Sequence, residues 1–193
     1  NTMEIYRKLP LVPRRIVDKY HTCLRQQFSI NNAERLIEYC NDNNRDSIIE
    51  LLSNGMDLNM SIYNDCYPLR HILLNVVVNP EMVEFLLKHG ADPNLTFSGS
   101  QRSNLSTAIL RRSFQSAKLL LKYGADINVV SKDTNYTPLY TAVLLREKDI
   151  MRECLKYGAD MNIKSFEGMS AKNLATFLND QEMCEIFEEE EEN

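Results

Sequence analysis

Four copies of one short segment recur along the chain at almost constant spacing. Each copy runs from an apolar stretch through a glycine to an aspartate and an asparagine, as in LLLKYGADIN, residues 119–128. The glycines of the four copies lie 35, 34 and 34 residues apart, at Gly55, Gly90, Gly124 and Gly158. A constant period of this length predicts a stack of similar units, each of which buries its apolar face against its neighbours.

Each copy predicts the end of a helix. The apolar run forms the buried stripe of that helix, and the glycine suits the left-handed backbone position that follows a helix end. Two residues later come aspartates, which we expect to accept backbone N–H groups and hold a turn: Asp57, Asp92, Asp126 and Asp160. We expect the asparagines that follow to hold turns in a similar way: Asn59, Asn94, Asn128 and Asn162. These residues are therefore assigned to architecture rather than to chemistry.

A first helix precedes each of these endings. The segment Thr137-Pro138-Leu139-Tyr140 lies 21 residues before Gly158. Its threonine is suited to cap a helix, and its proline fits the first turn. The same offset before Gly124 leads to Ser103-Asn104-Leu105-Ser106, a degenerate copy of the opening. Each unit therefore predicts two helices joined by a short turn.

The remaining units depart from this pattern. Tyr67-Pro68-Leu69-Arg70 lies 23 residues before Gly90, which predicts two extra residues in a protruding inter-helix loop near Val76 to Pro80. The first copy, residues 34–40, lacks the opening, as suits a terminal unit. Residues 167–171 begin a fifth unit that has no closing glycine, and we read it as a C-terminal cap or a point of truncation.

These motifs resemble the ankyrin-repeat family over about residues 31–187, because the Thr-Pro-Leu-Tyr opening is similar to Thr-Pro-Leu-His and the period is close to the family's 33 residues. The resemblance implies an all-α solenoid of helix-turn-helix units with short finger loops, four to five repeats long, plus an N-terminal capping helix. We predict an N-terminal segment and capping helix (1–30), a repeat domain (31–187) and an acidic tail (188–193). The units are predicted at 31–63, 64–98, 99–132, 133–166 and 167–187.

The degenerate copies and the many asparagines and isoleucines resemble the ankyrin proteins of poxviruses, which often act against host defences. Bacterial effectors and other divergent eukaryotic ankyrin proteins look similar. Many long poxvirus members end in an F-box-like segment that recruits a ubiquitin ligase, and none is visible here, which indicates a short member or an N-terminal piece. The resemblance implies a non-catalytic host-range or immune-evasion factor that binds a host protein in the cytoplasm or nucleus. One alternative is the substrate-recruiting part of a ubiquitin-ligase adaptor.

Composition bounds the environment of the chain. No apolar stretch approaches the roughly 18 to 20 residues that cross a bilayer, and no secretory signal is present, so we expect a soluble protein without membrane contact. The five cysteines are odd in number, scattered and without a C-x-x-C pair, which favours a reducing compartment. His21 and Cys23 are two residues apart on a predicted helix and face different directions, so we predict no metal site.

Charge is distributed unevenly. Residues 1–27 carry a balance of +4 and residues 181–193 a balance of −7, within an overall charge of −5. In the basic segment, one apolar stripe predicts a helix that caps the first repeat: Ile16, Tyr20, Leu24 and Phe28. The basic residues of this helix, with the arginines of repeat three, provide the runner-up function, which is binding of nucleic acid or a nucleotide. The acidic balance of the whole chain favours the capping role. The run of glutamates from 188 predicts a solvated, frayed tail.

The sequence contains no catalytic motif. It has no Gly-rich phosphate loop, no H-E-x-x-H and no G-x-S-x-G. We therefore predict no enzymatic activity and no cofactor.

The family resemblance implies that a partner binds in a concave groove formed by the first helices and the fingers. Five residues after Leu69, Leu105 and Leu139, the expected outward positions are Leu74, Leu110 and Leu144. The next positions are Asn75, Arg111 and Leu145, followed by Val76, Arg112 and Arg146. Leucines rimmed by arginines are typical of protein interfaces. The alternative is that these leucines pack into the core, since a shift of one residue would turn them inward.

The finger tips supply a second set of predicted contact residues. They are Ile62, Tyr63 and Tyr67, then Phe97, Gln101 and Arg102, then Lys132, Asn135 and Tyr136, and finally Lys164 and Phe166. Exposed aromatic side chains on polar loops provide contact area at low entropic cost. We predict partner contacts above all from Tyr63, Phe97, Arg102, Lys132, Tyr136 and Phe166. The alternative is that some of these aromatics cover neighbouring fingers.

Overall fold

The computed structural model describes residues 32–61, 67–75, 77–96 and 102–191. These residues form ten α-helices and no strand, with one isolated antiparallel bridge between Lys164 and Ser170. The helices are α1 (32–41), α2 (Arg45–Ser53), α3 (Pro68–Leu74), α4 (Pro80–Lys88), α5 (Asn104–Leu110), α6 (Phe114–Lys122), α7 (Pro138–Leu144), α8 (Lys148–Lys156), α9 (Ala171–Phe177) and α10 (Gln181–Glu191). The prediction of an all-α repeat solenoid is confirmed.

The helices are arranged in two layers. Consecutive helices pair into units, and the first helices α3, α5, α7 and α9 pack side by side in chain order. The second helices α4, α6, α8 and α10 form the other layer in the same order. One continuous apolar core joins all of these units with α1 and α2. The predicted N-terminal capping helix, with its stripe from Ile16 to Phe28, lies outside the described residues.

The first helices α5, α7 and α9 begin with side-chain caps even where the Thr-Pro-Leu motif is degenerate, whereas Tyr67 makes no such bond at the start of α3. In α7, the Thr137 hydroxyl accepts the N–H of Tyr140 at 3.0 Å, and Pro138 occupies the first turn. In α5, the Ser103 hydroxyl accepts the N–H of Ser106 at the same distance. Ser170 does so for α9 as part of a capping box with Asn173. Serine therefore replaces threonine at these positions without loss of the cap.

The second helices end at the repeated glycines, as predicted. Gly124 has a φ of 85°, in the left-handed region where a side chain would be strained. The N–H of Ala125 donates to the carbonyl of Leu120 at 2.9 Å, and the N–H of Gly124 donates to that of Leu121 at 3.1 Å. This pair of bonds is the Schellman motif, which satisfies carbonyl groups left free at a helix end. Gly55, Gly90 and Gly158 close their helices in the same way.

The aspartates after the glycines hold turns, as predicted, but the asparagine side chains form hydrogen bonds between units. Asp126 Oδ1 accepts the N–H of Asn128 at 2.9 Å, a bond that the other three copies repeat. The Asn94 amide instead joins two units: its Nδ2 donates to the carbonyl of Gly124 at 3.0 Å, and its Oδ1 accepts the N–H of Asp126 at 2.7 Å. Asn59 and Asn128 make the same two bonds to the units that follow them. We call these three side chains the asparagine ladder.

The loop between α3 and α4 is longer than its counterparts, as predicted. Five residues separate Leu74 from Pro80, whereas three separate α5 from α6 and α7 from α8. Val77 in this loop is 81% exposed, whereas Val78 packs against the core. Val76, a predicted contact residue, lies outside the described residues.

The acidic C-terminal segment is helical where the structure describes it. Helix α10 continues to Glu191, so the prediction of a frayed tail from residue 188 is wrong for Glu188 to Glu191. Ile186 and Phe187 are buried and hold the helix against the core. The ammonium of Lys172 also contacts the carboxylate of Glu191 at 2.6 Å. These contacts allow the helix to extend into a run of like charges.

The reactivity of two buried cysteines, Cys40 and Cys154, would test whether the core protects them from solvent. Burial raises the pKa of Cys40 to about 12, and burial together with the carboxylate of Glu153 raises the pKa of Cys154 to about 12. Because only the thiolate reacts, we expect both to be alkylated by iodoacetamide at least about 100-fold more slowly in the folded protein than in urea. Mass spectrometry of peptides after timed labelling would measure this protection. Cys184 is only half-buried and serves as the internal comparison, so equal rates at all three sites would contradict the prediction.

Candidate functional site

Three leucines occupy the same surface position on three neighbouring helices. Leu74, Leu110 and Leu144 are the last residues of α3, α5 and α7, and they are 42%, 38% and 43% exposed. The preceding residues of α5 and α7 are all buried. The leucines therefore lie at the surface. They do not pack into the core, which was the alternative prediction.

The same position in the fifth unit carries a residue that the sequence interpretation missed. Phe177 ends α9, lies 33 residues after Leu144 and is 74% exposed. The position was counted from a leucine, and this unit has Lys172 where the others have Leu69, Leu105 and Leu139. Aligning the capping Ser170 with Thr137 would have found it. We call Leu74, Leu110, Leu144 and Phe177 the apolar column.

The residues that follow the column differ from one unit to the next. Leu145 was predicted to face a partner, but it is half-buried and packs against the core. At the equivalent position the Arg111 side chain is exposed, because its charge is more stable in water. The amide of Asn75 donates to the Asn41 side chain at 3.1 Å, which links two units. Of the described residues at this position, Arg111 alone presents a charge to solvent.

Arg112 and Arg146 connect consecutive units. Their φ angles are 56° and 60°, so each closes a first helix in the left-handed conformation that glycine adopts at the second helices. Arg112 pairs with Glu147 of the next unit. Arg146 contacts Asp180 at 3.1 Å and donates to the carbonyl of Leu178 at 3.2 Å. Both were predicted as partner contacts, yet their charges already meet acidic or carbonyl groups of this chain.

The third and fourth fingers are joined to each other. The Asn135 amide donates to the carbonyl of Lys164 at 2.6 Å, and the N–H of Phe166 donates to the carbonyl of Thr134 at 3.1 Å. The phenyl ring of Phe166 is 67% exposed. These two hydrogen bonds hold the fourth finger in place and leave the ring at the surface, where it is available for contact with another molecule.

Tyr136 was predicted to contact a partner, but it covers the neighbouring finger, which was the alternative prediction. Its ring is half-buried and stacks on Tyr140 with centroids 4.3 Å apart. Its hydroxyl donates to the carboxylate of Glu167 at 3.4 Å. Partial burial and the charge of Glu167 raise the pKa of Tyr136 above its ordinary value. The ring therefore helps to position the fourth finger.

The other predicted finger residues are only partly covered by the structure. The guanidinium of Arg102 contacts the carboxylate of Asp133 at 3.5 Å, which links the second and third fingers. Lys132 is exposed. Tyr63 and Phe97, together with Ile62 and Gln101, lie outside the described residues.

The family assignment follows from a comparison with known families. The family model described as "Ankyrin repeats (3 copies)" matches the chain over residues 36–131 and again over residues 105–192. The chain belongs to the ankyrin-repeat family. No curated protein matches it. Ankyrin repeats generally act as protein–protein interaction modules, so a protein is the kind of partner that this fold indicates.

The described part of this ankyrin-repeat chain shows no arrangement suited to metal chemistry. Within residues 32–61, 67–75, 77–96 and 102–191, no group of three or more His, Cys, Asp or Glu side chains could hold a metal ion. The pair His21 and Cys23 lies outside these ranges. Among the same described residues, no helix has the length and apolarity needed to cross a bilayer. The surface feature that remains is the apolar column with its neighbouring arginine and fingers.

Proposed function

We propose that this ankyrin-repeat protein is a non-catalytic adaptor that binds another protein through the apolar column and the finger tips. The observation that carries the proposal is the recurrence of a large, exposed apolar side chain at one position in four consecutive units. A polar side chain at these positions would stay in contact with water at no cost to the core. Apolar side chains aligned in this way support binding, because their transfer from water to an interface is favourable.

The proposal extends to the setting of the protein. Its degenerate repeats resemble those of poxvirus ankyrin proteins, and we propose that it binds a protein of a host cell as a host-range or immune-evasion factor. Cys40 and Cys154 are free and buried, which is compatible with the reducing cytoplasm. The protein would act by sequestering its partner or by recruiting it to another complex.

An affinity pull-down from host-cell lysate tests this proposal. We expect the variant Leu110→Glu, Leu144→Glu to lose the proteins that the native chain captures, because two buried carboxylates in the interface would oppose binding. The matched control is Gln115→Glu, Gln181→Glu, which adds the same charge at exposed positions of second helices. Circular dichroism would establish that both variants are folded.

The outcome of the pull-down separates the column from other surfaces. Loss of captured proteins in the column variant, with retention in the control, supports the proposal. Equal capture by the native protein and both variants would exclude the column as the binding surface. The finger residues and the basic N-terminal segment would then be the next surfaces to examine.

Binding of nucleic acid has less support among the described residues. The arginines of repeat three were its main candidates in the repeat body, and Arg112 is already paired with Glu147. The side chains of the apolar column would also contribute nothing to the binding of phosphate groups. A weak dependence of binding on salt would agree with the protein interface, whereas a steep loss of affinity would favour nucleic acid.

A further inference from the structure

We infer that the occupant of the apolar column is an amphipathic α-helix with apolar residues every seven positions and acidic residues along one flank. This inference rests on the proposed function and names the chemistry of the partner. Three properties of the described residues support it: the spacing of the column residues, the charge beside the column, and the width of the surface between the column and the fingers.

The first step is the spacing of the column. Its four residues end helices that pack side by side, and packed helix axes lie about 8–10 Å apart. Successive column side chains are therefore separated by about that distance. A partner helix advances about 10 Å in seven residues, so positions i, i+7 and i+14 would meet successive column residues.

An extended segment fits this spacing less well. Side chains on one face of a strand recur about every 6.7 Å. If one of them contacts a column residue, the next side chain on that face falls short of the following column residue, and the one after it falls beyond. A helix of about 22 residues is about 33 Å long and would place positions i, i+7, i+14 and i+21 against all four column residues. The column therefore favours a helical partner over an extended peptide.

The second step is the charge beside the column. Arg111, which adjoins Leu110, is exposed and has no ion pair in the described part of the chain. The nearby carboxylates of Glu147 and Asp180 are paired with Arg112 and Arg146. Beside Leu110 the uncompensated charge is therefore positive, and an acidic flank on the partner would be complementary to it there.

The third step is the width of the surface. Lys132 and Lys164 lie in the fingers that lead into α7 and α9, and both are exposed and free of ion pairs within residues 102–191. Helices α7 and α9 are seven residues long, or about 10 Å, and this length separates their fingers from the column. A helix with its side chains is about 10–12 Å wide, so its acidic flank could face these lysines while its apolar face covers the column.

Selection from two phage-displayed libraries tests the inference. One library presents a single-helix scaffold of about 25 residues with one randomised face. The other presents linear peptides of about 12 residues with a central proline, which prevents a continuous helix. Binders of the native protein are counted only if they fail to bind the folded Leu110→Glu, Leu144→Glu variant.

We expect the binders that depend on the column to come from the helical library, with apolar residues at i, i+7 and i+14 and Asp or Glu beside them. Arg111→Glu should weaken them about tenfold, because it places like charges together. Lys118→Glu makes the same change of charge at an exposed position of α6 and should weaken them less than twofold.

Several results would overturn the inference. Column-dependent binders that are extended, that carry a basic flank or that have another apolar spacing would leave the proposed function standing and remove the helical partner. Displacement of a selected helix by a 20-nucleotide RNA would show that the surface serves a polyanion. An absence of column-dependent binders in both libraries would overturn the inference, and the pull-down would decide separately whether the column binds any protein.

Discussion

Replacing Leu105 by alanine should lower the free energy of unfolding by about 3 kcal/mol, whereas the same change at Leu110 should lower it by about 1 kcal/mol or less. The two leucines lie on the same helix, α5. Leu105 is fully buried, so its truncation removes apolar contacts and leaves a cavity in the core. Leu110 is 38% exposed at the helix end, where water can occupy the space that its truncation leaves.

Urea unfolding followed by far-UV circular dichroism would measure both changes. Leu139→Ala and Leu144→Ala provide a second pair on α7, where the first residue is fully buried and the second is exposed. The same contrast is expected there. Equal losses of stability within each pair would mean that the column residues belong to the core, and the proposed binding surface would then be wrong.

Removing two members of the asparagine ladder should also have a large effect. Asn94 and Asn128 each donate one hydrogen bond to the next unit and accept one from it. The double variant Asn94→Ala, Asn128→Ala removes these four bonds and should lower the free energy of unfolding by about 2–6 kcal/mol, since each net hydrogen bond contributes about 0.5–1.5 kcal/mol. Coupling between neighbouring units should weaken as well, so we expect the unfolding transition to broaden.

Asn162→Ala is the matched control for the ladder. Asn162 occupies the same position in the last of the four copies, and its side chain makes no bond to a following unit in the described part of the chain. Its backbone N–H still reaches the carboxylate of Asp160, and this bond does not require the asparagine side chain. We expect a change within about 0.5 kcal/mol, as for most surface substitutions. If the double variant loses no more stability than this control, the ladder does not hold the units together.

The features that sequence alone predicted are those that depend on neighbouring residues. The cap at Thr137, the left-handed Gly124 and the turn held by Asp126 each involve bonds that span two to five residues. Such bonds depend on residue type and local spacing, and the repeated motif makes both visible. Their period also predicted pairs of helices in four to five units and the longer loop before Pro80.

The candidate site was predicted only in part. The count from Leu105 and Leu139 correctly placed Leu110 and Leu144 at the surface. It missed Phe177, because the fifth unit has no leucine from which to count. Binding by these residues stays a prediction, since contact with a partner is not a property of the isolated fold.

Only the tertiary structure decided how the units use their polar residues. Asn94 bonds to residues 30 and 32 positions later, Arg112 pairs with a residue 35 positions later, and Leu145 is half-buried against the core. Sequence patterns assigned these side chains to turns or to a partner, because the competing atoms belong to the adjacent unit. The local rules of capping and turn formation thus determined each helix pair, whereas the stacking of neighbouring units determined which side chains remain free for another molecule.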